Sequence, residues 1–204
     1  HYAKSEEKVK AEKCYLSLSK QLLDKENHKF QYKEVEKGGR AQKYFSSIDW
    51  LSTADMVSLA YLTRDVQYEL SDYIREDFFR AYTTDLSLLL AMKDFSLKQH
   101  IVENTLIQNT KGGLYECLLA DILIKKELPL YFYKNEITKK EIDFLTEKEG
   151  KIIAIEVKSG KGKANSLEWL LTRKNIGQAY KFHDGNIGKE NGVLSLPLYM
   201  AMFL

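Results

Sequence analysis

Glu141-Ile142-Asp143-Phe144-Leu145-Thr146-Glu147-Lys148-Glu149-Gly150-Lys151-Ile152-Ile153-Ala154-Ile155-Glu156-Val157-Lys158 is the stretch on which the reading of this chain turns. Ile152 to Val157 is a β-branched, apolar run of strand length. Glu147 to Gly150 is polar and ends in glycine, as a hairpin turn requires. With Glu149-Gly150 as a two-residue loop, Lys148 pairs with Lys151, and counting back sets Asp143 opposite Glu156. A three-residue loop would shift that register. Glu156 and Lys158, two apart on one strand, share a face, while Val157 points the other way into the core.

Two carboxylates facing each other across a hairpin repel. A divalent cation between them converts repulsion into coordination, because hard cations such as Mg²⁺ or Mn²⁺ take oxygen ligands. Lys158 beside that cation would hold a phosphate oxygen or orient a water. Upstream, Gly112-Gly113-Leu114-Tyr115-Glu116-Cys117-Leu118-Leu119-Ala120 carries Glu116 as its one charge and continues as a helix expected over 113–127. A carboxylate in a mostly apolar helix is costly to bury without a partner. A metal-bound water or Lys158 would serve, and a solvated stripe of the helix is the alternative.

A helix Glu, an Asp, and Glu-x-Lys on the next strand together resemble the PD-(D/E)xK nuclease superfamily. More narrowly, the chain resembles the C-terminal domain of prokaryotic AAA-type ATPases, family 4143 of the domains of unknown function. The segments that carry this resemblance are Phe30 to Glu36, Tyr44 to Leu51, Tyr82 to Leu89, Gly113 to Glu116, Glu141 to Phe144, Ile155 to Lys161 and Leu196 to Tyr199. They run from about residue 15 to the end. The resemblance implies an α/β chain: an N-terminal winged helix-turn-helix, then a restriction-endonuclease-like mixed sheet flanked by helices. It implies a Mg²⁺- or Mn²⁺-dependent DNA nuclease in which Asp143, Glu156 and the Val157 carbonyl hold the metal. Glu116 would bind a metal-bound water or a second metal, and Lys158 would deprotonate or position the attacking water. It also implies an ATPase domain in cis or in trans. The alternatives are a catalytically silent nuclease-like module that binds DNA or protein, and a metal-free salt-bridge network of Glu116, Asp143, Glu156 and Lys158.

The N-terminal third supports the winged-helix expectation by element order. Residues 8–24 are expected to be helical, with Val9, Cys14, Tyr15, Leu18, Leu22 and Leu23 on one side. Tyr32 to Lys37 is a short segment ended by Gly38-Gly39. A further helix spans Arg40 to Ala54, with Ala41, Tyr44, Phe45, Ile48 and Leu51 facing inward. Met56 to Leu62 reads as a strand. The outward face of the third helix would carry Arg40, Gln42, Lys43, Ser46 and Ser47 toward DNA, or toward another domain. Asp85 is placed as the N-cap of a short helix ending at Met92. The boundary between a winged-helix-like module (1–93) and a nuclease-like domain (94–204) is set near residue 93. Lys98 to Thr110 is read as helical before a break at Gly112-Gly113. Beyond it the expected order is strand 130–134, strand 140–147, strand 151–158, helix 165–174, strand 178–183 and strand 193–203. Gln178-Ala179-Tyr180 invites comparison with a glutamine motif of some nucleases, but it sits in a strand rather than the helix that motif needs.

Composition bounds the rest. The 204 residues are 44% hydrophobic and carry a net charge of only +2, so charge as a whole commits the chain to no polyanion. Lysine is patchy, over 4–13, 37–43, 134–140 and 158–163. The last stretch offers Lys161 and Lys163 to DNA, and a solvated surface is the plainer reading of each. Cys14 and Cys117 are too few for a disulfide framework or a zinc site. The four histidines have no metal-ligand spacing, and His183 falls at a strand end. No apolar run is long enough to span a membrane, which points to a cytoplasmic protein. Gly160-Lys161-Gly162-Lys163-Ala164-Asn165-Ser166 lacks the order of a P-loop, so no ATP site of that kind is expected. The chain opens on His1 rather than Met, which reads as a cut end with an ATPase part removed or never present. An oligomer stays open.

Overall fold

The computed structural model describes residues 5–23, 29–160 and 162–204. Contacts divide the chain into two compact units, one of His1–Leu59 with Arg80–Cys117 and one of Ala60–Phe79 with Leu118–Leu204.

The first unit is built on helices. α1 (Ser5–Leu22) packs against α2 (Tyr32–Val35) and α3 (Ala41–Thr53). Ala11, Cys14 and Leu18 of α1 are buried at the spacing of one helix face. On α3 the buried set is Tyr44, Ser47, Ile48 and Leu51. This corrects the expected faces: Ser47 lies inward and Phe45 lies outward. The i, i+3, i+4, i+7 series starting at Tyr44 admits Ser47, and a small hydroxyl fits a tight helix contact where a phenyl ring would not. Asp85 caps α4 (Leu86–Ala91) as expected, accepting from the Ser87 N–H at 2.7 Å.

The stretch expected to be one helix over Lys98–Thr110 instead holds α5 (Phe95–Val102), capped by Asp94, and the start of α6 (Gln108–Lys125). Asn104, at φ 53, turns the chain between them. α6 runs through Gly112-Gly113, where a break was expected. The glycine is there for closeness: a Cβ on Gly113 would lie 2.5 Å from the Leu22 carbonyl oxygen.

The strands form one eight-stranded mixed sheet in the order β2-β1-β3-β4-β5-β6-β8-β7. The strands are β1 (Val57–Thr63), β2 (Ile74–Thr83), β3 (Tyr131–Lys134), β4 (Glu141–Lys148), β5 (Lys151–Val157), β6 (Gln178–His183), β7 (Gly188–Glu190) and β8 (Val193–Pro197). β4 and β5 form the expected hairpin with Lys148 opposite Lys151. Its turn residues Glu149 and Gly150 both have positive φ, 51 and 73, which is the two-residue turn whose twist matches the strands. β5 then joins α7 (Asn165–Leu171) and returns as parallel β6, a βαβ unit. α7 lies on β4 and β5. Its Leu167 and Leu170 cover Leu145, Ile152, Ala154 and Ala179.

The last expected strand stops early. β8 ends at Pro197, and Leu198–Phe203 forms a 3-10 helix, because proline fixes φ and donates no ladder bond. The short edge strand β7 was not foreseen; its three residues are all exposed and carry no apolar alternation.

Candidate functional site

β5 is buried from Ile152 onward, and the burial does not stop where the charge begins. Glu156 is only 1% exposed, and among the described residues neither carboxylate oxygen has an aligned hydrogen-bond partner. The Lys158 ammonium stands 3.4 Å from its Oε2 as an ion pair, and the Ser166 hydroxyl is a further polar neighbour. Burial pushes the Glu156 carboxyl above its ordinary value; Lys158 opposes that shift, and the Asp143 charge adds to it.

Asp143 sits where the hairpin ladder ends. The β4–β5 pairs run from Lys148↔Lys151 to Phe144↔Ile155, and the β3–β4 register slips between Tyr131 and Tyr133. Asp143 is the next residue along. Its Oδ2 accepts the backbone N–H of Val157 at 2.8 Å, so the carboxylate takes over where a ladder carbonyl would have served. Val157 thus enters this site through its N–H; its side chain is fully buried.

β6 brings groups that the sequence did not assign. Glu156 is in register with Lys181, and parallel partners present side chains to one face. The pairing continues past the strand end, with the Lys158 N–H donating to the Phe182 carbonyl at 2.9 Å. His183 follows; its Nδ1 accepts from the Gly185 N–H at 3.1 Å, which leaves the proton of a neutral ring on Nε2, a buried atom with no hydrogen-bond partner among the described residues. The signal for Lys181 was available as the alternation of β6, but only once β6 was known to lie beside β5.

Glu116 has a different environment, in the first unit. Its Oε1 accepts from Arg80 Nη1 at 3.1 Å and from the Tyr82 hydroxyl at 2.6 Å. Arg80 is 5% exposed, and the three form a buried polar group. Burial and the Glu116 charge push the Tyr82 hydroxyl far above its ordinary value. Arg80 had a sequence signal that was not used: an arginine inside the apolar run Phe78-Phe79-Arg80-Ala81-Tyr82 demands a buried acid.

Of the residues expected to meet DNA, Arg40, Gln42, Lys43 and Lys163 are exposed, and Lys161 lies outside the described residues. Lys43 has an internal partner: Glu36 accepts from it at 2.9 Å, and from Tyr44 and Lys13 as well. Those donors hold the Glu36 carboxyl down at about 2, with Lys43 the largest cause. Among the described residues, no group of three or more His, Cys, Asp or Glu stands placed to hold a metal ion. No helix among them is long and apolar enough to cross a membrane.

Comparison with known families agrees in part with the resemblance. Residues 111–199 match the Domain of unknown function (DUF4143). The segments around Glu116, Asp143, Glu156 and Leu196 fall inside that match. Those at 30–36, 44–51 and 82–89 fall instead within residues 1–99, which match a second model, the Domain of unknown function (DUF8612). No curated protein and no solved structure matches the chain.

Proposed function

We propose that the DUF4143 region carries a metal-dependent DNA phosphodiesterase site of PD-(D/E)xK type. The rest of the reading goes with it: a restriction-endonuclease-like core, an N-terminal winged helix, a cytoplasmic setting, and an AAA-type ATPase domain as partner in cis or in trans. The observation that carries this is Glu156. A carboxylate with both oxygens buried and no aligned donor is expensive. Such a cost is understandable where a hard cation completes the group.

Glu156 and Asp143 are all-oxygen donors of the kind Mg²⁺ and Mn²⁺ accept, with the Val157 carbonyl as a further oxygen. When bound, the cation would neutralise charge building on the phosphate. The chain's own residues do the remainder. Lys158 positions or deprotonates the attacking water for in-line displacement at phosphorus, and Lys181 and Lys163 draw the phosphodiester in. Incubating plasmid and branched DNA with Mg²⁺ or with EDTA tests this. Mg²⁺-dependent cutting that Lys158→Ala abolishes supports the reading. DNA left intact on every substrate contradicts it.

A second reading is favoured by one observation. Arg80 and Tyr82 occupy Glu116, which the nuclease reading needs for a water or second metal. A nuclease-like module that binds DNA or a partner without cutting requires no such carboxylate. Duplex binding without cleavage is its signature.

A further inference from the structure

The far end of β5 carries a second concave feature. A cleft of about 500 Å³ opens between the hairpin turn, the loop after β1 and the loop after α7, all within the second unit. β5 separates it from Glu156 by roughly 15 Å of extended chain. Its volume falls in the range of small-molecule sites.

The lining is cationic and amide-rich: Lys151, Arg173 and Lys174, with Gln67, Asn175 and the ring of Tyr68. No acid lines it. Asp65, outside the lining, pairs with Lys174, which leaves Lys151 and Arg173 as the uncompensated charges. Two features look built. Lys151 faces Lys148 across the turn, an arrangement that costs energy unless an anion offsets it, although Glu149 lies between them in sequence. The Lys151 stem is also laid against Gly177, where a Cβ would come within 2.7 Å of the Lys151 Cβ. The glycine therefore lets the side chain lie across the loop that carries Arg173 and Lys174. Arg173 is steadied in turn, its guanidinium 5.1 Å from the Trp169 ring centroid and Nη1 donating to Thr172 at 2.8 Å. Tyr68 is 55% exposed, a flat aromatic surface at the rim.

We propose that this cleft binds a nucleoside phosphate, with the phosphate between Lys151 and Arg173, the base against Tyr68, and its edge toward Asn175; Gln67 is held by Asp65 and Tyr73 and shapes the wall. A point cation, a guanidinium and an aromatic ring together suit that ligand better than a bare anion, which would not require the ring. A free nucleotide and the end of a single strand share this chemistry. The site is separate from the carboxylates and does not depend on their role.

The test titrates the 204-residue chain by calorimetry with thymidine monophosphate, a 5′-phosphorylated oligothymidylate and inorganic phosphate. Saturable binding of either nucleotide probe at lower concentration than phosphate is expected, and the tighter of the two identifies the source. Lys151→Glu and Arg173→Glu should each weaken it roughly tenfold, while Lys189→Glu, on the exposed edge strand β7, binds as the wild type. Tyr68→Ala should weaken the nucleotide but not phosphate. Circular dichroism confirms that the variants are folded. Nucleotide binding unchanged in the Lys151→Glu/Arg173→Glu double variant overturns the proposal, as does phosphate binding equal to that of both nucleotides, or no binding at all.

Discussion

Glu116 and Glu156 are both largely withdrawn from water, and they are treated in opposite ways. Glu116 receives an arginine and a phenol, so its charge is met by donors from β2. Glu156 receives one ammonium at 3.4 Å and the nearby Ser166 hydroxyl, with burial and a neighbouring carboxylate working against it. The first arrangement is what a folded core needs. The second is costly for a folded core to keep. Burial of an acid is therefore uninformative by itself; the donors around it distinguish these two carboxylates.

The largest expected effect is at the satisfied acid. Glu116→Ala removes the carboxylate that pairs with the buried Arg80 guanidinium, and urea unfolding should show a loss of about 3–5 kcal/mol. A loss below about 1 kcal/mol would mean that Arg80 finds another anion, and the contrast would fail. Tyr82→Phe sharpens the same point more gently. It deletes one donor to a charged acceptor and should cost about 1.5–3 kcal/mol in the same assay.

The smallest effect has the opposite sign. The Glu156 carboxyl is raised above 4.5 in the folded chain, so the native state holds its proton to higher pH than the unfolded chain does. Its contribution to stability is complete below pH 4.5 and is lost as pH rises through the folded value. Glu156→Gln should thus melt higher than the wild type at pH 7 without metal, and the gain should vanish below pH 4.5. Glu156→Gln melting lower at pH 7 would show that the carboxylate has the donors this account denies it.

Much of the hairpin was legible because each signal was local. A β-branched apolar run, a Glu-Gly turn and fixed pairing from Lys148↔Lys151 are all written within eighteen residues. The N-cap at Asp85 was legible for the same reason. What escaped depends on residues distant in sequence. Arg80 meets Glu116 across thirty-six positions, and nothing in either local pattern names the other. Gly113 reads as a helix breaker until Leu22 is seen beside it. The slip between β3 and β4 needs β3 to be seen, and the bond from the Val157 N–H to the Asp143 carboxylate shows only once the ladder is known to end at Phe144↔Ile155. Ser47 lies inward and Phe45 outward because helix phase, not hydrophobicity, sets which residue of α3 is buried.

The central claim is that Glu156, with Asp143 beside it, is an incomplete cation site. Calorimetric titration of Mn²⁺ at pH 7 tests it most directly. The account predicts saturable heat for the wild type, abolished in both Glu156→Gln and Asp143→Asn while each remains folded. Equal heats in all three proteins, or none in the wild type, would contradict it.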